Sequence, residues 1–348
     1  LGASAAELVG HAFKTRRTDH FVVAYDASDL SARDLCQRLE ATFDGVLRFC
    51  RFNGIPCQSL AQRLEVYFFA SYAEFDAYAR SLGSSAGAWS GFYYSGNNRA
   101  AFYDSLDDPL LRPLLEQIEG RRKALEPLAG EGKRRSANSS AIARLRQELA
   151  RLERQRDEHV ERRNRLIVQH EAAHQILYNL GVHVIGGQNP NWLTEGLACL
   201  FETPPGNAGA GAVALNQLRL RDFRDACQKQ NNGARLTDEQ VRRAMNTGEF
   251  APLRELVGDV RMLLDQENRS LIYRYAQAWS LVCYLQRARR AEFADYLRAL
   301  AQRPVGREFT PAEELADFER AFGPLDETFE RRWANYILGL DFKPNDAR

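Results

Sequence analysis

The first hundred residues alternate short apolar runs with longer segments of helical periodicity. Continuous or alternating apolar positions predict strands at 21–25 and 64–70. Apolar positions three and four residues apart predict helices at 32–51 and 72–81. This alternation of strands and helices indicates an α/β lobe at the N-terminal end of the chain.

Two aromatic-rich runs follow, at 91–94 and 100–103. They flank Ser95-Gly96-Asn97-Asn98, whose glycine and asparagines are typical of a tight turn between antiparallel strands. We therefore predict a β-hairpin. The aromatic content leaves open whether this hairpin lies at the edge of the sheet or is buried within it.

The segment after the hairpin has the pattern of two helices. Leu110, Leu114 and Ile118 share one helical face, and residues 130–132 and 136–140 form a polar link. A second narrow apolar seam then consists of Ile142, Leu145, Leu149 and Leu152. The pattern predicts an antiparallel helical arm that projects from the rest of the protein.

The second helix of this arm is expected to be long. Residues 139–180 contain neither glycine nor proline, which predicts one helix about 60 Å in length. Its arginines and glutamates at helical spacing are typical of a solvated surface. Partner binding or self-association through the arm stays open as an alternative.

Beyond residue 202 the pattern is helical. Thr237 with Gln240, and Thr310 with Glu313, form capping boxes that predict two helix starts. Residues 203–211 are rich in proline, glycine and alanine and predict a loop. Further helices are predicted to begin near Leu215, Ser270, Ala291 and Leu325. The chain therefore has the pattern of an α+β protein with a helical C-terminal lobe.

The strongest chemical signal is the sequence His170-Glu171-Ala172-Ala173-His174. Residues four apart on a helix share a face, so both imidazoles can converge on one metal ion. Glu171 can then reach a water molecule on the open side of the ion and act as a general base. The pattern predicts a hydrolytic Zn²⁺ site.

Hydrolytic zinc takes three protein ligands, so one more ligand is needed. A metzincin would have glycine and histidine where Leu177 and Leu180 stand, which excludes that class. Glu195 lies in a second predicted helix, 194–201, and is the preferred third ligand. His183 is the alternative, and it requires the metal-binding helix to end abruptly and the chain to fold back.

The two motifs together resemble those of the gluzincin metallopeptidases. His170-Glu171-x-x-His174-Gln175 carries the first part of the resemblance. Trp192-Leu193-Thr194-Glu195-Gly196-Leu197-Ala198 is similar to the Trp-Leu-Asn-Glu-Gly-Phe-Ala of the aminopeptidase N family. The resemblance implies a two-lobed thermolysin-like fold, with His170, His174 and Glu195 as zinc ligands and Glu171 as the base.

The resemblance also implies two supporting residues. Glu202 matches a family glutamate suited to hold a ligand histidine, although a solvated helix position is an equal interpretation. A tyrosine in the aminopeptidase N family stabilises the oxyanion, and Tyr275 resembles it in position and surroundings. Tyr273 is the alternative donor, and half-buried packing is the other interpretation of both tyrosines.

The substrate class is constrained by a missing segment. Aminopeptidases of this family carry Gly-x-Met-Glu-Asn to bind the substrate's amino group, and the sequence has no such segment. We therefore expect an endopeptidase rather than an aminopeptidase.

Uncharacterised bacterial gluzincin-like proteins are similar in length, and they resemble this chain at 19–25 and 35–49. In gluzincins a sheet edge above the metal binds the substrate backbone, a role that the predicted hairpin fits.

Composition limits the function only coarsely. The 348 residues are 45% hydrophobic and 27% charged, which is enough to bury a full core. No run approaches the roughly 18 apolar residues of a membrane span. The net charge of +1 gives no general attraction to nucleic acid. The expected partner is a peptide or protein substrate, with no nucleic acid and no membrane span.

The six cysteines show no Cys-x-x-Cys spacing, which argues against a second, structural zinc site. Cys50 and Cys57 are expected either to pair across the Asn53-Gly54 turn or to remain packed thiols. Because the chain begins at Leu1 rather than methionine, we expect that an N-terminal segment, such as a signal peptide, has been removed. The expected location is the bacterial cell envelope or the exterior of the cell.

The pattern divides the chain into four parts. These are an N-terminal α/β lobe with an edge hairpin, a helical hairpin insertion, the zinc-binding helices and a helical C-terminal lobe, at 1–105, 106–162, 163–205 and 206–348. The leading hypothesis is a zinc-dependent peptidase. The alternative is a binding or scaffold protein with a structural or vestigial metal site. Glu171 favours the enzyme, because a structural site has no use for a base.

Overall fold

The N-terminal lobe is built on one mixed sheet, and the whole chain has the predicted α+β class. A computed structural model describes residues 12–83, 91–130, 135–203, 213–228, 236–259 and 270–343. The strands of this part are β1 (Lys14–Arg17), β2 (Phe21–Tyr25), β3 (Leu64–Phe69), β4 (Gly91–Tyr94) and β5 (Arg99–Tyr103).

The sheet has the strand order β1-β2-β3-β5-β4. Strands β2, β3 and β5 are parallel, whereas β1 and β4 run antiparallel to their neighbours. The predicted hairpin is therefore present, and β4 lies at one edge of the sheet. Strand β1 was not predicted, because its sequence Lys-Thr-Arg-Arg lacks the apolar residues that reveal a strand.

Helix α1 (Asp29–Asn53) covers one face of the sheet. Ser28 caps its first turn by accepting a hydrogen bond from the Ser31 amide. The helix ends at Gly54, whose positive φ of 70° is the left-handed conformation that glycine tolerates. Helix α2 (Tyr72–Ser81) packs with β3 and β5 on the opposite face, where the aromatic rings of Tyr67, Phe69 and Phe75 form a second, smaller core.

The arm consists of α3 (Arg112–Gly130) and α4 (Arg135–Arg163). Ile118 and Leu152, one from each predicted seam, are buried, whereas Leu110 lies before α3 and is 74% exposed, so the prediction that it shares the helical face was wrong. The prediction of a link at 136–140 was wrong, since helix α4 already begins at Arg135 and serine and asparagine are tolerated in its first turns. Residues 131–132 of the predicted link lie outside the described residues.

The base of the arm is tied to the body by charged contacts. Asp108 is buried and accepts from His159 Nε2 at 2.8 Å, and Arg163 Nε lies 2.8 Å from the same carboxylate oxygen. Arg38 of α1 forms an ion pair with Glu161 at 2.6 Å. The arm therefore does not project freely over its whole length.

Helix α4 continues through a π-helical turn, Asn164–Gln169, into α5 (His170–Asn179). The chain is thus helical from the arm to the motif, as predicted. Helix α5 ends where Leu180 leads into Gly181, which has a φ of 75°. Helix α6 (Asn191–Leu200) follows and begins earlier than its predicted start at Thr194.

The C-terminal part is helical, as predicted. Its helices are α7 (Gln217–Gln228), α8 (Asp238–Asn246), α9 (Leu253–Gly258), α10 (Leu271–Ala288), α11 (Arg290–Leu300), α12 (Pro311–Phe322) and α13 (Glu327–Leu338). Both predicted capping boxes are formed, at Thr237 and Thr310. The short α9 was not predicted. Residues 204–211 of the predicted loop lie outside the described residues.

All six cysteines are free thiols, so Cys50 and Cys57 are not bridged. No helix among the described residues is long and apolar enough to cross a membrane.

Candidate metal centre

Helix α5 holds the two histidines of the motif on a buried face. Gln175 fixes the helix to the sheet, because its amide nitrogen donates to the backbone oxygens of Glu65 and Asn98 at 2.9 and 3.1 Å. Gln169, the last residue of the π-turn, donates to the backbone oxygens of Phe201 and Thr203. The helix that carries His170 is therefore anchored on both sides.

The structure brings His170, His174 and Glu195 together. The two Nε2 atoms are 3.1 Å apart, and Glu195 Oε2 lies 3.1 Å from His170 Nε2 and 3.4 Å from His174 Nε2. Tetrahedral zinc with ligand bonds near 2.05 Å requires ligand atoms about 3.3 Å apart. The three ligand atoms are thus spaced about as they would be around one tetrahedral metal ion, and the three side chains can hold a metal ion.

Glu195 is positioned by the close approach of α6 to α10. The next residue is Gly196, and a Cβ atom there would lie 2.7 Å from the backbone oxygen of Ala278 and 2.6 Å from Val282 Cγ2. Only glycine permits this separation of the two helices. The Trp-Leu-x-Glu-Gly motif therefore contains both a candidate ligand and the residue that lets its helix approach.

His170 is held from its other side by a buried carboxylate. Its Nδ1 lies 2.8 Å from Glu202 Oε1, and Glu202 is only 3% exposed. This contact supports the interpretation of Glu202 as the residue that orients His170 rather than as a solvated position. With the proton on Nδ1, the lone pair of Nε2 is free on the side of His174 and Glu195, where a metal ion would bind.

Two residues of this network were not identified from the sequence. Arg219 donates to both oxygens of Glu202, through Nε and Nη2, at 2.7 Å each. Asn216 donates to Glu202 Oε2 at 3.0 Å and accepts from the Arg219 amide, which caps the first turn of α7. Neither residue belongs to a motif, and a lone arginine in an amphipathic helix gives no signal of its own.

The charges around the histidines are strongly coupled. Burial raises the pKa of Glu202, but the Arg219 charge and the His170 hydrogen bond outweigh it and lower the pKa to about 2. For Glu195, burial again opposes ionisation, while His174 and His170 hold its pKa below the ordinary value. Arg219 neutralises the charge of Glu202. The negative charge of Glu195 lies beside the two Nε2 atoms, and a divalent cation bound there would balance it.

Glu171 lies between the ligands and the edge of the sheet. Its Oε2 accepts a hydrogen bond from the Tyr93 amide of β4 at 2.9 Å. Burial raises the pKa of this carboxyl group, with His170 and His174 acting in the opposite direction. One oxygen is thus held by β4, and the second is free of that bond.

Tyr275 is carried to the centre by α10. Its ring centroid is 6.1 Å from that of His170, and the Arg219 guanidinium lies 5.4 Å from it. Burial and the Glu195 charge raise the phenol pKa well above its ordinary value, so the hydroxyl keeps its proton and can donate it. Tyr273, the alternative, and Tyr275 are both half-buried and pack against the main core, so packing does not separate them; the ring contact with His170 favours Tyr275.

His183 is not one of the residues that could hold a metal with His170 and His174. It is 2% exposed, its ring lies 5.0 Å from that of Tyr178, and burial lowers its pKa to about 3. It is therefore a neutral, packed imidazole. Of the two predicted alternatives for the third ligand, the geometry favours Glu195.

A protein-family model described as a protein of unknown function (DUF1570) matches residues 166–305. This range contains both motifs, Glu202, Arg219 and Tyr275, and it leaves out the sheet and both helices of the arm. No curated protein matches the chain. The chain is thus similar to that family over the part that builds the candidate metal centre.

Proposed function

We propose that this protein is a gluzincin-type zinc peptidase that acts as an endopeptidase. The observation that carries the proposal is the spacing of His170, His174 and Glu195, with Glu171 next to them. Two imidazoles and one carboxylate are one of the ligand sets of hydrolytic zinc, which keeps one position open. When bound, zinc would polarise the scissile carbonyl and make a water molecule more acidic.

The protein's own residues would supply the remaining steps. Glu171 would accept the proton of the attacking water and pass it to the leaving nitrogen. Tyr275 would donate a hydrogen bond to the oxyanion that forms as the carbonyl is attacked. Glu202 would keep His170 in the tautomer that binds metal.

The edge strand β4 would hold the substrate. Its Tyr93 amide points away from β5 toward Glu171, so the outer side of the strand faces the base. An extended peptide that added to this edge would pass its backbone beside the metal ligands. Such binding uses the backbone and needs no free amino group, which supports the expectation of an endopeptidase.

Glu171→Gln tests the proposal. We expect the purified wild-type protein to contain stoichiometric zinc and to cleave members of an unbiased peptide library in a chelator-sensitive manner. Glu171→Gln should keep the zinc and the melting temperature but lose about a hundredfold or more in rate, because an amide cannot accept the proton. The matched control is Glu158→Gln, at an exposed position on the arm.

Two results would contradict the proposal. Cleavage by Glu171→Gln at the wild-type rate would exclude this mechanism. A wild-type protein that binds zinc but cleaves no peptide would favour the alternative of a binding protein with a structural metal.

A further inference from the structure

A second group of possible metal ligands lies on the other side of His170. It consists of His170, Cys199 and Glu202, all buried, with ligand atoms within 4.8 Å of one another. Cys199 lies one helical turn after Glu195 on α6, so this one helix carries a possible ligand for each of the two groups that share His170. His170 is thus shared by two groups, each of which could attract a cation.

The second group already contains a cation, because the Arg219 guanidinium binds both oxygens of Glu202 at 2.7 Å. The Glu202 side chain is fully covered, and that of Arg219 is 11% exposed. A two-point guanidinium–carboxylate pair satisfies the carboxylate and fixes its orientation. A divalent ion here would lie next to a buried positive charge with no carboxylate oxygen left unpaired.

The position of Arg219 is fixed by local structure. Asn216 caps α7 through the Arg219 amide at 3.1 Å and also donates to Glu202 and to the Cys199 backbone oxygen. The guanidinium then lies between Glu202 and the ring of Tyr275. The Arg219 guanidinium is therefore held beside the second ligand group, because both the backbone amide and the side chain of this residue are fixed.

We propose that Arg219 acts as a built-in cation that keeps metal away from Cys199 and Glu202 and confines it to His170, His174 and Glu195. The inference rests on the metal site of the proposed function and not on peptidase activity. Arg219 is a positioning residue, since it acts through Glu202 on the orientation of His170. Loss of such outer contacts typically weakens metal binding about 10- to 100-fold.

Cobalt(II) is the probe, because it accepts the same nitrogen and oxygen ligands as zinc and shows a near-ultraviolet charge-transfer band when a thiolate binds it. The wild-type protein should bind one equivalent without this band. Arg219→Met should bind cobalt about 10- to 100-fold more weakly and should show the band, as Glu202 and Cys199 become available. The band should disappear in the Arg219→Met, Cys199→Ser double variant.

Two further variants separate charge from packing. Arg219→Lys keeps the positive charge, so it should show no thiolate band. Arg224→Met removes an arginine from the same helix, where the guanidinium contacts Phe342 rather than an acidic ligand, and it should behave as the wild type. Circular dichroism and the melting temperature check that each variant is folded.

The absence of a thiolate band in folded Arg219→Met would overturn the inference, whether or not cobalt affinity falls. A band in Arg219→Lys would also overturn it, because the charge would then not be what excludes the metal. A wild-type protein that binds no cobalt or zinc would overturn this inference and the proposed function together. If the wild type binds metal but cleaves no peptide, the proposed function fails, and the cobalt results still decide the role of Arg219.

Discussion

His170 is the residue that connects the two sides of the candidate metal centre. Its Nε2 faces His174 and Glu195, and its Nδ1 faces Glu202. Burial lowers its pKa, but hydrogen bonds with Cys199, Glu195 and Glu202 outweigh burial and raise the pKa well above the ordinary value. Glu195 thus favours a positive charge on the Nε2 side, which a metal ion can provide in place of a proton.

His174→Ala should abolish stoichiometric metal binding. With His174 removed, only His170 and Glu195 remain, and two ligands do not hold zinc at a hydrolytic site. Metal content after gel filtration, measured by mass spectrometry, checks this expectation. His20→Ala is the control, since His20 contacts Glu40 and Phe43 in the N-terminal lobe. Zinc content equal to that of the wild type in His174→Ala would remove His174 from the ligand set.

Tyr275→Phe should lower kcat about a hundredfold while metal content stays unchanged. The phenol is protonated and close to His170, and loss of one oxyanion donor typically costs about 100- to 1,000-fold in rate. Tyr273→Phe, two residues earlier on α10, is the matched control. An unchanged kcat in Tyr275→Phe, or the larger loss in Tyr273→Phe, would reassign the donor.

At the scale of elements, the π-helical turn determines how the arm joins helix α5, which carries His170 and His174. An extra residue in one turn rotates the following helix by about 100° relative to the preceding one. The turn also buries Gln169, which connects Arg38 of α1 to the backbone around Glu202. The helical pattern predicted the continuous helix but not this turn, because its sequence, Asn-Arg-Leu-Ile-Val-Gln, is equally compatible with α-helix.

Gly196→Ala should destabilise the protein by about 1–3 kcal/mol, the usual cost of overpacking. The added Cβ would meet the Ala278 backbone oxygen, which cannot move without displacing α10. Zinc affinity should fall as well, since Glu195 precedes it. Thermal unfolding and a chelator competition assay measure both effects.

The control for this substitution is Gly120→Ala in α3, where nothing lies within 4 Å of the added atom. Alanine is the better helix former, so this variant should be as stable as the wild type or slightly more stable. Equal stability of Gly196→Ala and the wild type would show that α6 and α10 can separate without loss.

At the scale of the whole molecule, the arm and the body meet at the contacts around Asp108 and Glu161. These contacts lie at the arm's base, next to the π-turn, whereas the ion pairs further out join α3 to α4, such as Arg121 with Glu148. The outer part of the arm is therefore stabilised mainly by its own two helices.

Replacing 124–149 by a short Gly/Ser link should leave metal binding and the fold of the body intact. The cut keeps the buried Ile118 and Leu152 and every base contact. Zinc content and the melting temperature test this expectation, and a second variant, Asp108→Ala, breaks the base instead and should lower the melting temperature. Aggregation and zinc loss in the shortened protein would show that the outer arm packs on the body.

The sequence by itself determined most of the elements and the pair of histidines at the centre of the candidate metal site. Strands such as 21–25, the capped helices at Thr237 and Thr310, and the candidate ligand pair His170 and His174 depend on residues close together in the chain, where periodicity and spacing are sufficient. For the same reason the α+β class was predictable. The charged strand β1 was not predicted, because it is a strand through its pairing with β2 and not through its composition.

Only the tertiary structure decided which distant residues complete the centre. Glu195 could be favoured over His183 from the sequence, but the distances to both histidines depend on how α6 packs on α10. Arg219 could not be identified at all, because its role depends on reaching the buried Glu202 from another helix. Long-range packing brings these groups together, and no local sequence pattern predicts that packing.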